Sequence, residues 1–182
     1  GNMGIAVIKS LFNHRISSKK IVVIEKNQSS ELKKLKRSKN FEIKNSIDKI
    51  NNLYQPTITL IAVKPNQLKT LNGLDKDNRL GNSIIVSVVA GKKIKDLNKV
   101  FKKTLGIVRA MTNTPVSVNM GTTIVYFERK IKTKQKKPIF DFMSLLGQVS
   151  ETKKEDLIDD FTAIFGSGPA SVSYTHLRAH ET

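Results

Sequence analysis

Apolar residues in this chain gather in short unbroken runs, and between the runs they recur at helical spacing. Lys20–Glu25, Thr57–Val63, Ser83–Val89 and Ile107–Met111 are β-branched or aliphatic runs of strand length. The first three close on Glu25, on Lys64-Pro65 and on Ala90-Gly91. Ahead of them Ile5, Ile8, Leu11 and Phe12 lie on one helical face, and Ser29-Ser30-Glu31-Leu32 opens a Lys-rich helix reaching Arg37. Ile43, Ile47 and Ile50 share a face, which predicts a short amphipathic helix over 43–53. Residues 66–80 read as a polar helix and loop, and Ile94–Phe101 as a helix. Gly121–Phe127 reads as a strand, 128–137 as a polar linker, Ile139–Leu146 as a helix and Gly147–Val149 as a short strand. Strands that are apolar throughout are buried on both faces, so the alternation predicts an α/β fold with a doubly wound parallel sheet.

Composition narrows the class. The 182 residues suffice for one full domain, or one domain and the start of another. No apolar run approaches the roughly 18 residues of a membrane span, and no secretory signal opens the sequence. With no Cys there is no disulfide, thiolate metal site or thiol nucleophile, which fits a reducing, cytoplasmic setting. The net charge of +17 would ordinarily suggest nucleic acid, but it comes from 26 Lys and only 6 Arg. Arg is the residue of bidentate base and phosphate recognition, and the lysines are scattered. A solvated Lys-rich surface with no nucleic-acid partner is the expectation.

The candidate chemistry begins at residue 1. Gly1-Asn2-Met3-Gly4 before a helix matches the last two glycines of G-x-G-x-x-G, where backbone N–H groups receive a pyrophosphate. Glu25 ends the next strand 21 positions after Gly4, about where an acid holds a ribose 2′-hydroxyl in an NAD site. Lys26 beside it suits a 2′-phosphate instead, so the two residues pull in opposite directions. In such a sheet, ligands sit at the carboxyl ends of the strands, where Ala62-Val63-Lys64-Pro65 and Val88-Val89-Ala90-Gly91 fall. Small residues there let the backbone approach a flat ring. Arg109 reads as a structural hydrogen-bonder at a strand end, His14 as a surface helix residue and Asn113 as a turn-former.

Five blocks then come together: GNMG at 1–4, AVKP at 62–65, IVSVVAG at 85–91, VRAMTNTPVSVNMG at 108–121 and EDLIDDFTAIFGSGPA at 155–170. In order and spacing they resemble pyrroline-5-carboxylate reductase over residues 1–171. The resemblance implies reduction of 1-pyrroline-5-carboxylate to L-proline by hydride transfer from NAD(P)H, with NADP the expected cofactor and NAD the alternative. It also implies a Rossmann-type sheet over 1–150, its first strand missing, and over 151–171 the start of a helical dimerisation domain. A homo-oligomer follows from that domain. By similarity Gly1, Asn2, Met3 and Gly4 form the cofactor loop, and Asn45 and Lys26 meet the adenosine side. Ala62, Val63, Lys64 and Pro65 with Val88, Val89 and Ala90 line the nicotinamide end, and Glu155 lies near the substrate.

Departures from the family pattern accompany these matches. Phe165 stands where Ser is usual, and Lys154 replaces the first of two acids, putting substrate contacts there in doubt. The sequence reads as cut at both ends, so the fragment itself is expected to be inactive. Residues 172–182, SVSYTHLRAHET less its first residue, look like a non-native tail, and the His176–His180 pair is set aside with them. Two other readings remain open. One is another imine or 2-hydroxy-acid reductase of the same fold; the other is a basic nucleic-acid-binding module.

Overall fold

The computed structural model describes residues 1–51, 53–72, 74 and 78–163. Phe165, the GSGPA block, the His176–His180 pair and the 172–182 tail lie outside the described residues.

Strands β1 (Val22–Ile24) and β2 (Glu42–Lys44) form a parallel pair. A five-stranded sheet follows in the order β3 (Ile58–Ile61), β4 (Ile84–Ser87), β5 (Gly106–Thr112), β6 (Gly121–Phe127), β7 (Gly147–Glu151). Among the described residues no strand pairing joins β1 to β3. Helices α1 (Asn2–Asn13) and α4 (Thr133–Ser144) cover one face, and α3 (Ile94–Val100) covers the other. Helix α2 (Ser30–Lys39) lies against α1, and α5 (Leu157–Thr162) against β5 and β6.

The alternation of side chains along each strand builds the two cores. Ile84, Val86, Val108 and Ala110 pack with Val7, Leu11, Ile139, Met143 and Leu146 on the α1–α4 side. Ile85 and Ile107 point the other way, to Leu97, Phe101, Leu68 and Leu80. A third cluster of Ile5, Ile8, Leu32, Phe41 and Ile43 fastens α1 and α2 to the β1–β2 pair. The sheet is therefore doubly wound and mostly parallel.

Three expectations are corrected. Ile43 lies in strand β2, not in a helix over 43–53, and only a single 3-10 turn forms at Ile47–Lys49. Phe41 and Ile43 are buried around exposed Glu42, a period of two, while Ile47 and Ile50 serve a different core. Spacing alone could not separate one helical face from two unrelated apolar pairs. Secondly, residues 133–137 form the first turns of α4, not part of a linker. Lys and Gln are good helix formers, Gln135 folds its side chain back to accept from the Lys132 N–H at 2.8 Å, and Lys137 pairs with Asp141 one turn on. Thirdly, β6 runs antiparallel to β5. A parallel return needs a crossover of about a dozen residues or more. The connection at 113–120 is shorter and is taken up by a 3-10 turn, Thr114–Val118, ending on Asn119 at φ 61°.

Candidate functional site

The site grows out of the start of α1. Its first intrahelical bond is Ile5 N–H to Gly1 C=O at 3.1 Å, so the N–H groups of Asn2, Met3 and Gly4 precede the ladder. No side chain among the described residues caps them. Added to the positive end of the helix dipole, these bare donors suit an anion.

Facing them is a cleft of about 410 Å³ lined by Gly1, Asn2, Met3, Ala62, Val63, Lys64 and Val88. It lies at the carboxyl ends of β3 and β4, whose parallel register, Ile61 against Ser87, brings the two following loops side by side. Val88 N–H bonds Ile61 C=O at 3.0 Å, extending the pairing into the cleft wall. Gly1 and Gly4 stand against Ala62, and a Cβ at either would reach only ordinary contact distance, 3.9 and 3.8 Å. Packing within the protein therefore does not require glycine there. The bare backbone instead leaves room on the cleft side for a bulky anion such as a pyrophosphate.

Glu25 sits at the end of β1 beside this turn. One carboxylate oxygen is 3.5 Å from the Gly1 nitrogen and the other accepts from Asn27 N–H at 3.1 Å. Glu25 N–H bonds Lys44 C=O at 2.9 Å, which places exposed Asn45 next to Glu25 and exposed Lys26. All three lie at the carboxyl end of the β1–β2 pair, with the glycine turn.

The remaining predicted residues divide. Pro65 opens a 3-10 turn, Pro65–Leu71, and is exposed behind the lining residue Lys64. Val89 is buried in the core on the α3 side, and Ala90 is exposed beside Gly91 at φ +65°. Neither lines the cleft; of that trio only Val88 does. Glu155 is also outside the lining. Its Oε1 accepts from the Ile94 N–H at 2.6 Å and stands 3.5 Å from the Arg109 guanidinium. Lys154 is exposed. His14 is exposed at the end of α1, and Asn113 holds the turn before β6, its side chain accepting from Thr122 N–H at 2.8 Å.

The ion cluster around Arg109 is the part that sequence reasoning missed. Arg109 is 1% exposed and its Nη2 donates to Asp159. Next to it Lys93 bonds Asp156 at 2.6 Å, and that hydrogen bond raises the Lys93 pKa and lowers that of Asp156. The available signal was a charged residue inside an apolar strand, with an acid-rich segment far along the chain.

With this geometry in place, the comparisons are informative. The family described as NADP oxidoreductase coenzyme F420-dependent matches residues 1–91. The pyrroline-5-carboxylate reductase of Corynebacterium melassecola is 30% identical over 174 residues, which is 93% of this chain and 63% of that protein. Among solved structures, a pyrroline-5-carboxylate reductase from Coxiella burnetii superposes with a TM-score of 0.82 at 26% identity, covering 96% of this chain and 64% of that one. The Plasmodium falciparum pyrroline carboxylate reductase with NADP bound gives 0.79 at 25% identity, covering 98% and 64%. The chain thus spans somewhat under two thirds of the length of these three relatives.

Proposed function

Since this chain belongs to the family of NADP oxidoreductases described as coenzyme F420-dependent, we propose that the protein containing it reduces 1-pyrroline-5-carboxylate to L-proline with a nicotinamide dinucleotide. The observation that carries this reading is the likeness to pyrroline-5-carboxylate reductases along nearly the whole chain. The family match at residues 1–91 spans every segment that builds the cleft.

The residues present fit such a cofactor. Asn2, Met3 and Gly4 offer uncapped N–H groups to a pyrophosphate. Ala62–Lys64 and Val88 supply a narrow, mostly apolar wall for a flat ring. Glu25, Lys26 and Asn45 take the adenosine ribose. When bound, the nicotinamide would supply a hydride to the C=N carbon of the substrate. The chain's own contribution is to hold the ring at the strand ends and to exclude water with Val63 and Val88.

NADP is the proposed cofactor, with Lys26 as the residue meeting the 2′-phosphate and Glu25 opposing it. Under the same reading residues 1–150 are the dinucleotide-binding unit, and 151–171 begin a helical unit that makes a homo-oligomer. The protein then works in the cytoplasm on a small molecule, without nucleic acid or membrane. No helix among the described residues is long and apolar enough to cross a membrane.

The test is to express the complete gene product and follow NADPH and NADH oxidation with and without 1-pyrroline-5-carboxylate. Substrate-dependent oxidation is the expected result. Oxidation with other cyclic imines or 2-oxo acids but not with this substrate would move the assignment to another reductase of the same fold.

A further inference from the structure

We propose that Arg109 is a positioning residue, holding the strand-end loop that lines the cleft in register with helix α5. The proposal rests on the reading of the cleft as a nicotinamide dinucleotide site.

A guanidinium buried to 1% exposure is an expensive way to fill a strand. Among the described residues its Nε and Nη1 make no hydrogen bond, and its Nη1 stands 3.5 Å from a Glu155 oxygen. Apolar side chains flank it in β5, and an apolar residue would serve stability as well. What the arginine adds is location.

The contacts form a closed ring. Arg109 is paired with Ser87, the last residue of β4, in the β4–β5 ladder. Its side chain reaches Asp159 on α5 and Glu155 just ahead of α5. Glu155 in turn accepts from the backbone N–H of Ile94 at 2.6 Å, and its neighbour Asp156 takes Lys93 at 2.6 Å. Residues 93 and 94 end the loop that began at Ser87. The ring therefore runs from Ser87 through residues 88–92 to Lys93 and Ile94, across to 155–156, and back through Arg109. Within it Val88 faces the cleft, and Ser87 Oγ accepts from Val89 N–H at 3.3 Å.

Removing the guanidinium leaves Glu155 and Asp159 without their shared cation. The loop loses its second anchor, while the glycine turn of α1 is held by the Ile5–Gly1 backbone bond and the Glu25 contact, which involve none of these residues. The effect therefore falls on the nicotinamide end of the cleft and spares the adenosine end. It also makes α5 an element that the cofactor-lining loop senses directly.

The test uses the complete gene product carrying R109M, with R109K as the conservative variant. Binding is read by calorimetry with NADPH and with adenosine 2′,5′-bisphosphate, which lacks the nicotinamide. Amide hydrogen exchange is read without nucleotide. Expected are a loss of NADPH affinity of about tenfold in R109M, a change under twofold for the bisphosphate, and partial recovery in R109K. Exchange should quicken at residues 88–94 and 157–162 and stay unchanged at 5–8. Equal weakening of both ligands, or unchanged exchange in the loop, overturns the proposal. Should R109M fail to fold, D159N removes one partner of the same cation from the protein surface and must give the same two readings. If the unmodified complete gene product binds neither nucleotide, the functional reading fails. The exchange result then still decides whether Arg109 anchors the loop.

Discussion

Gly147 faces Gly121 across the parallel β6–β7 ladder, and neither position has room for a side chain. Gly147 adopts φ +134°, and a Cβ there would fall within the backbone of Gly121, 2.6 Å from its nitrogen. A Cβ on Gly121 would lie 2.7 Å from the Leu146 carbonyl oxygen. The crowding arises because α4 ends at Ser144 and the chain must enter β7 at once, with Gly121 N–H already bonded to Leu146 C=O at 2.9 Å. Backbone meets backbone, so no rotamer change can relieve the clash. G147A should therefore destabilise the fold by about 3 kcal/mol. G91A, at φ +65° with nothing within 4 Å, should cost only about 1 kcal/mol. Urea unfolding of both variants checks the contrast.

Ser10 is a fully buried hydroxyl that joins three separate segments. Its Oγ is 2.5 Å from the Leu145 carbonyl oxygen and 2.7 Å from the Asn119 side-chain amide. A carbonyl can only accept, so the single hydroxyl proton goes to Leu145 and the Asn119 amide must present its NH₂ to Ser10. S10A removes both bonds of a fully buried hydroxyl to half-buried partners and should lower stability by about 1 kcal/mol. The denaturation midpoint should fall with no change in m-value. Loss of m-value would mean that α1 itself detaches.

The proposed cofactor preference would turn on one carboxylate. Glu25 stands beside the glycine turn; under the proposed reading it would accept from ribose hydroxyls and repel a 2′-phosphate, while exposed Lys26 would attract it. E25Q should raise the ratio of NADPH to NADH affinity by about tenfold, equal to about 1.4 kcal/mol. K26A should lower that ratio, and calorimetric titration with both dinucleotides reads each effect directly. A ratio unmoved by either variant would place the ribose elsewhere.

The Lys93–Asp156 pair gives a pH signature with a definite sign. Asp156 has its pKa lowered, first by the hydrogen bond from Lys93 and then by its charge, so its contribution is present above the ordinary carboxylate value and is lost as pH falls through the lowered one. Lys93 has its pKa raised, first by the hydrogen bond to Asp156, so its share is present below the ordinary lysine value and is lost as pH rises through the raised one. The stability difference between the unmodified chain and D156N should therefore be constant between about pH 4 and about pH 10.5 and shrink beyond either limit. Both groups reach solvent, so the difference should be small and should fade with added salt. Thermal melts across that range in low and high salt test it.

Much of the fold was legible locally. The runs at 57–63, 83–89 and 107–111 became strands of the five-stranded sheet because a continuous β-branched stretch of that length can be buried only between two layers; the run at 20–25 became β1, which is only half-buried and leaves Ile24 exposed. The glycine turn, the helix after it and the strand-end loops carried the cleft, because turn chemistry and helix starts are written within a few neighbouring residues. Tertiary structure decided what depends on partners far along the chain. Ile43 joined a strand because β1 offered a free edge; the direction of β6 followed from the length of its connection, not from its own residues. Val89 turned into the core because strand alternation continues one step past β4. Glu155 went to Arg109 and Ile94, leaving the cleft to others, because a buried guanidinium 46 positions earlier required a counter-charge. Local sequence carries periodicity and turn preference, but which charge meets which is settled only when the sheet brings distant segments within a few ångströms.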